Sequence, residues 1–179
     1  MVGELHAISR RRDTTMVGAT VPLNIFLDLL LPNSKPILIG ILYRPPDQSG
    51  FVDMLSSAVA DIEDFDNQEV YFLGDLNFNL LNNSKYILDT KYTNESVPWA
   101  KKYSHFCHMH NLKQLIRSPT RVAKSCTTLL DHILTNANEM VSQSGVLDIG
   151  LLDHQLVFCT RKKQKTLNSI NIKQSKQEV

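Results

Sequence analysis

The octapeptide Val70-Tyr71-Phe72-Leu73-Gly74-Asp75-Leu76-Asn77 is an apolar run that ends in a carboxylate and an amide two positions apart. Four apolar side chains in a row, without alternation, predict a strand that is buried on both faces. Asp75 and Asn77 come at the carboxyl end of that strand, and residues two apart share one side of an extended backbone. Two interpretations stay open here, an active-site motif and a plain turn, because Gly, Asp and Asn all favour turns.

On the amino-terminal side of this strand, the pattern predicts a hairpin followed by a helix. The apolar runs Leu23–Leu31 and Pro36–Tyr43 are typical of strands, and the Pro and Asn between them suit a tight turn. The Arg-Pro-Pro tripeptide ends the second strand, because proline cannot donate to a hydrogen-bond ladder. From Phe51 to about Asp64 the apolar residues recur at helical spacing, with Ser49 as the predicted N-cap.

On the carboxyl side, a polar, Asn-rich segment over residues 82–94 predicts a surface loop. Aromatic residues at helical spacing predict a second helix that starts after Pro98 and ends near Asn111. Three short strands are predicted beyond it, at Leu112–Ile116, Thr128–Thr135 and Leu156–Thr160. We therefore expect an α/β domain over residues 22–160, with a poorly packed lead-in at 1–21 and a polar tail or linker at 161–179.

The bulk composition is that of one ordinary globular domain. The chain has 179 residues, of which 42% are hydrophobic and 21% charged, and its formal net charge is +1. This length is enough for one core, and the composition argues against wholesale disorder. A near-neutral charge neither supports nor excludes a nucleic-acid partner, since an enzyme needs only a local cationic cleft. The basic runs at residues 10–12 and 161–165 are typical of solvated chain ends.

Cysteine usage and hydropathy indicate a reducing, intracellular setting. The three cysteines are widely spaced and form no Cys-x-x-Cys pair, so neither a disulfide framework nor a thiolate zinc site is predicted. A cluster in the second helix leaves zinc as a weak alternative: His105, Cys107, His108 and His110. The longest apolar segment is far below the roughly 20 residues of a membrane span, and no secretory apolar region follows Met1.

Six polar side chains fall at or near the ends of apolar β-like runs: Tyr43, Asp75, Asn77, Asp131, Asp153 and His154. Carboxylates and a histidine that converge from several strand ends can activate water and stabilise a developing charge. Asp153 and His154 are adjacent, and neighbouring side chains usually point apart, so the pair is better suited to two tasks than to one shared contact. His132 is more typical of a strand residue that points away from the site.

Four ordered motifs resemble the endonuclease/exonuclease/phosphatase superfamily: Tyr43-Arg44-Pro45-Pro46, Gly74-Asp75-Leu76-Asn77, Thr128-Leu129-Leu130-Asp131-His132-Ile133-Leu134-Thr135-Asn136 and Leu152-Asp153-His154. More narrowly, they are similar to the apurinic-type endonuclease domain of non-LTR retrotransposons. Four motifs in the right order are far more specific than any single one. The resemblance implies a four-layer α/β-sandwich, with two mixed β-sheets and outer helices, that is incomplete at its N-terminus.

The resemblance also implies hydrolysis of a DNA phosphodiester with Mg²⁺ or Mn²⁺. Asp75 would orient or deprotonate the attacking water, and Asn77 would hold a non-bridging phosphate oxygen. His154 would contact the scissile phosphate, with Asp131 orienting its ring. The expected partner is DNA, bound with low sequence specificity by a monomer that needs no membrane and no obligate protein partner, and that works in the nucleus.

Two further roles follow from the same resemblance. Tyr43 would donate a hydrogen bond to the phosphate or to the leaving oxygen, and Asp153 would lie beside the metal. These six residues form the predicted site. None of their roles follows from spacing alone.

The sequence departs from the family pattern in two places. The early motifs, an Asn and a metal-binding Glu at the end of an early strand, have no counterpart, since Glu4 is not preceded by an apolar strand. Leu152 stands where the family's Ser-Asp-His motif has serine, which removes a hydroxyl beside the site. Two alternatives therefore stand beside the endonuclease: a non-catalytic remnant of a transposable element, and a phosphomonoesterase or phospholipid phosphodiesterase of the same fold.

Overall fold

A computed structural model describes residues 9–14, 23–31, 34–46, 48–82, 85–86, 98–124, 126–150 and 153–162. Its helices are α1 (Phe51–Ala60) and α2 (Pro98–Met109). Its strands are β1 (Ser9–Thr14), β2 (Leu23–Leu29), β3 (Ile37–Tyr43), β4 (Glu69–Asp75), β5 (Leu81–Asn82), β6 (Lys85–Tyr86), β7 (Lys113–Gln114), β8 (Arg121–Ala123), β9 (Cys126–Thr128), β10 (Asp131–Thr135), β11 (Val141–Leu147) and β12 (Leu156–Arg161).

The centre of the molecule is a six-stranded mixed sheet with the order β1-β2-β3-β4-β10-β7. Its neighbours pair antiparallel except for β3 and β4, which run parallel. A parallel pair needs a crossover connection, which α1 supplies between the two strands. Three two-stranded sheets accompany it within the described residues: β5-β6, β8-β9 and β11-β12.

Helices α1 and α2 cover one face of this sheet. The alternation of strand side chains brings Leu38, Leu42 and Phe72 into one buried cluster with Leu55 of α1 and Tyr103 of α2. Each of these residues is at most 2% exposed. Burial of large apolar side chains is the main favourable term in folding, at about 1.5–3 kcal/mol each.

The opposite face of the sheet is covered only in part. The β11-β12 ribbon lays Val146, Val157 and Cys159 against the core beside β10. Arg161 of β12 also forms two hydrogen bonds of 2.6 and 2.8 Å with the carboxylate of Glu69, at the start of β4. Over the carboxyl end of β3 the same face is more exposed, and Ile41 is 44% exposed while Ile37 is 1% exposed. The layer order is therefore that of the predicted α/β sandwich: helices, main sheet, second sheet.

Several sequence predictions differ from the structure in detail. The predicted N-cap Ser49 is wrong, because the cap is Gly50 in the left-handed conformation (φ 76°) and no side chain caps the helix. The predicted strand Thr128–Thr135 is split into β9 and β10, and β11 was not predicted. Ser9–Thr14 pairs with β2 as an edge strand, although the sequence assigned it to the lead-in. Most of the predicted loop at 82–94 and the tail beyond 162 lie outside the described residues.

No helix in the described part of the chain is long and apolar enough to cross a membrane.

Candidate active site

Three of the predicted side chains lie in one row across neighbouring strands. Tyr43 of β3 is opposite Asp75 of β4 in the parallel register, and Asp131 of β10 is opposite Asp75 in the antiparallel register. Directly paired residues of adjacent strands project from the same face of a sheet. Here that face is the one opposite the helices, and all three residues are half-buried. The row lies at the carboxyl ends of β3 and β4.

The glycine of the Gly-Asp-Leu-Asn motif allows β3 and β4 to approach. A Cβ atom on Gly74 would lie 1.7 Å from the backbone oxygen of Leu42, so no other residue fits without displacing one strand. Beyond Asp75 the backbone leaves the strand, because Asn77 adopts a left-handed conformation (φ 48°) that asparagine tolerates. The backbone N–H of Asn77 donates to Asp75 Oδ1 at 3.0 Å. The motif is therefore a turn as well as part of the candidate site, and Asn77 does not continue the extended backbone.

The turn is braced by Arg44, which is only 8% exposed. Its guanidinium donates to the carbonyl oxygens of Leu76 and Asn77, both at 3.2 Å, and lies 4.2 Å from the ring centroid of Phe78. In return, Asn77 Nδ2 donates to the carbonyl oxygen of Arg44 at 2.9 Å. One of the two N–H bonds of the Asn77 amide is thus used within the protein. The conspicuous Arg-Pro-Pro motif contributes a buried structural arginine that the sequence did not identify as one.

His154 and Asp131 lie within hydrogen-bonding distance of one another. His154 Nδ1 is 3.1 Å from Asp131 Oδ2, and their side chains are 35% and 16% exposed. Asp131 is itself anchored, because its backbone N–H and that of Leu130 both donate to the hydroxyl oxygen of Thr120 at 3.0 Å. With Nδ1 facing the carboxylate, Nε2 is the ring nitrogen left for another group.

Asp153 forms an ion pair that the sequence did not predict. Its Oδ2 accepts a hydrogen bond of 2.7 Å from Nε of Arg121, at the start of β8. This bond, with the charge of Arg121, lowers the pKa of Asp153. The backbone adds a bridge between Arg121 and His154. Sequence reasoning missed Arg121, since a single arginine after Pro-Thr carries no signal until a partner 32 positions away is known.

Asp75 has the chemistry of a proton acceptor. Burial raises its pKa above the ordinary value, and the negative charge of Asp131 raises it further. The N–H of Asn77 and the charges of His154 and Arg121 act in the opposite direction. A carboxylate with a raised pKa holds a proton more readily than a free aspartate, which favours general base catalysis.

The same residues could hold a cation. Asp75, Asp131 and His154 each offer a ligand atom, and these atoms all lie within 4.8 Å of one another. The two carboxylates suit a hard divalent ion such as Mg²⁺ or Mn²⁺, whereas imidazole is a more usual ligand of the later transition metals. No second group of three ligand-type side chains occurs in the described ranges, so the described residues give no support to zinc in α2. Cys107 of that helix is buried, which raises the pKa of its thiol to about 12.

His132 lies on the other face of β10, in the core, as its position in the strand predicted. It is 1% exposed. The two residues that mark departures from the family pattern, Glu4 and Leu152, lie outside the described residues.

Comparison with solved structures assigns the chain to a class of fold. No family model matches the sequence, and no curated protein sequence is significantly similar to it. An endonuclease/exonuclease/phosphatase family protein from Leptotrichia buccalis superposes with a TM-score of 0.51 at 13% identity, over 78% of this chain and 53% of that one. The chain thus has the fold of this class, and the predicted α/β sandwich is confirmed.

A more specific neighbour is the endonuclease domain of TRAS1, a telomere-specific non-LTR retrotransposon. The TM-score is 0.56 at 15% identity, and the match covers 77% of this chain and 61% of that domain. The chain therefore spans less than two thirds of the length of either solved structure. At these identities the likeness establishes the fold alone. The predicted resemblance to retrotransposon endonucleases is confirmed at that level.

Proposed function

We propose that this chain is a divalent-metal-dependent phosphodiesterase domain that nicks DNA, as the retrotransposon-endonuclease resemblance implies. One observation carries the proposal: Asp75, Asp131 and His154 converge within 4.8 Å at the strand ends of an endonuclease-type fold. These are the residue types that hydrolysis of a phosphate ester requires. We assign this activity to residues 22–160.

Asp75 accepts the proton of the attacking water, in agreement with its raised pKa. The water oxygen bonds to phosphorus as the bond from phosphorus to the leaving oxygen breaks. His154 in its doubly protonated form keeps Nδ1–H on Asp131 and donates a hydrogen bond from Nε2, the nitrogen not facing Asp131, to a phosphate oxygen as negative charge develops. The hydroxyl of Tyr43 donates a hydrogen bond to the leaving oxygen. The second N–H of the Asn77 side-chain amide donates a hydrogen bond to a non-bridging phosphate oxygen.

Of the carboxylates in the row, Asp131 is the candidate ligand for the metal, because Asp75 acts on the attacking water. Bound Mg²⁺ or Mn²⁺ would polarise the phosphate and neutralise negative charge on the leaving oxygen. Oδ2 of Asp153, the residue that the sequence placed beside the metal, is engaged by Arg121 at 2.7 Å.

The test is nicking of supercoiled plasmid DNA with and without Mg²⁺. We expect nicking to require the metal and to fall at least 100-fold in Asp75→Ala and His154→Ala, because each variant removes a group needed in the transition state. Matched controls are Asp61→Ala, at the end of α1, and His105→Ala, on the exposed side of α2, and both should nick like the wild type. Absent nicking, or equal nicking in all five proteins, would contradict the proposal and favour the non-catalytic remnant.

A further inference from the structure

Arg121 brings a positive charge to a part of the molecule that otherwise repels phosphate. Three carboxylates belong to the candidate site: Asp75, Asp131 and Asp153. At close range a phosphodiester meets repulsion from these groups unless cations offset it. Arg121 forms a β-bridge with His154, whose Nδ1 lies 3.1 Å from Asp131 Oδ2, so its positive charge lies beside the row.

The guanidinium is only partly used by the protein. Nε donates to Asp153 Oδ2 at 2.7 Å, and the side chain of Arg121 remains 40% exposed. Within the described residues, its two terminal amino groups form no hydrogen bond. An arginine that is held through Nε presents its remaining N–H donors in a fixed fork, a geometry that matches two phosphate oxygens.

The backbone places Arg121 next to His154. Arg121 and His154 form an antiparallel β-bridge. The N–H of Val122 donates to the carbonyl oxygen of Asp153 at 2.8 Å, and the N–H of Gln155 donates to that of Thr120 at 2.7 Å. Arg121 and His154 are therefore held side by side, and a phosphate in contact with one lies within reach of the other.

We propose that Arg121 binds the phosphodiester of the substrate through its two terminal amino groups, while its Nε holds Asp153 in place. This role rests on the proposed function, because it takes a DNA phosphate as the ligand. Arg121 is a binding residue that orients the phosphate towards His154. A lysine at position 121 would supply the same positive charge but not the planar pair of amino groups that can bind two phosphate oxygens.

The test measures binding of a short DNA duplex by fluorescence anisotropy, in EDTA and over a series of salt concentrations. Arg121→Gln should weaken binding about tenfold and lower the slope of log Kd against log salt by about one, since one phosphate contact is lost. Arg121→Lys should keep the wild-type slope with weaker binding. The control Lys101→Gln removes an equal charge from the exposed surface of α2, on the far face of the sheet, and should change neither quantity.

Asp153→Asn separates phosphate binding from a purely structural role. It removes the partner of Nε and a negative charge near the ligand, so DNA should bind at least as tightly as to the wild type. If Asp153→Asn weakens binding as much as Arg121→Gln, Arg121 serves only to hold Asp153, and the proposal is wrong. It is also wrong if Arg121→Gln keeps the wild-type slope, or if the wild type does not bind DNA.

The binding assay is independent of the nicking assay. If the wild type fails to nick plasmid but Arg121→Gln changes the affinity and slope as expected, the Arg121 proposal holds and the endonuclease proposal fails.

Discussion

At the scale of single residues, Asp131 and His132 point to opposite faces of the sheet, Asp131 to the face of the candidate site and His132 into the core. His132 Nε2 lies 3.0 Å from the carbonyl oxygen of Phe78, and Nδ1 lies 2.7 Å from the hydroxyl of Tyr103. A carbonyl only accepts, so Nε2 carries the proton and Nδ1 accepts from the hydroxyl. Burial lowers the pKa of His132 to about 4. The imidazole is thus a neutral structural element one peptide away from a candidate catalytic carboxylate.

This buried imidazole predicts acid sensitivity. The folded pKa lies below the unfolded value near 6.5, so the unfolded chain binds more protons between these two values and stability falls as pH drops from about 6.5 to about 4. The full effect is about 3 kcal/mol. Urea denaturation at pH 7 and at pH 4.5 should show a smaller loss in His132→Gln than in the wild type. His105→Gln, on the exposed surface of α2, is the matched control, and equal losses in all three proteins would contradict the assignment.

At the scale of elements, the start of β10 depends on a single hydroxyl. Thr120 is 0% exposed and its Oγ1 accepts from two backbone N–H groups, those of Leu130 and Asp131. Its own N–H donates to the carbonyl oxygen of Thr128 at 2.9 Å. Thr120 therefore ties the segment before β8 to the end of β9 and the beginning of β10, where Asp131 enters the candidate site.

Thr120→Val should cost about 1–3 kcal/mol of folding free energy, because it leaves two buried donors without an acceptor at almost unchanged volume. Thr120→Ser keeps the oxygen and should cost less. Thermal denaturation compares the two variants, and plasmid nicking should fall in Thr120→Val alone if Asp131 shifts. Equal stability of the valine and serine variants would show that the hydroxyl does not support β10.

The elements also show where sequence reasoning works and where it stops. Three strands were predicted as apolar runs, β2, β3 and β4, and the two helices were predicted from apolar and aromatic residues at helical spacing; these side chains form much of the core. β11 was missed because Val-Ser-Gln-Ser-Gly-Val-Leu has little pattern of its own, and the strand forms by pairing with β12. Of the site, the row residues could be found at strand ends, whereas the Arg121–Asp153 pair depends on a tertiary contact that spacing does not encode.

At the scale of the whole molecule, the two faces of the main sheet are covered unequally. Leu42 faces the helices and is 2% exposed, while its neighbour Ile41 faces the open side and is 44% exposed. Next to Ile41 on that side are half-buried Ile25 of β2 and Leu73 of β4. Exposed apolar surface of this kind favours self-association.

Ile41→Thr should therefore reduce self-association with little loss of stability, since threonine is β-branched and suits a strand. Light scattering during concentration, together with urea denaturation, measures both effects. The adjacent variant Leu42→Thr is the contrast: it places a hydroxyl in the core and should destabilise the domain by about 2–4 kcal/mol. Similar behaviour of the two variants would mean that the two faces are not different in solution.

The row of Tyr43, Asp75 and Asp131 has a consequence for how such a site can evolve. The spacing of these side chains is set by the hydrogen-bond ladder and not by any loop; between Asp75 and Asp131, which are opposed in an antiparallel pair, it is about 4.5–5.5 Å at Cβ. Loop changes can therefore alter which substrate reaches the row without altering the distances within it. If the row is catalytic as proposed, its geometry is inherited as a unit, and selection for a new substrate would act on the segments around His154 and Arg121.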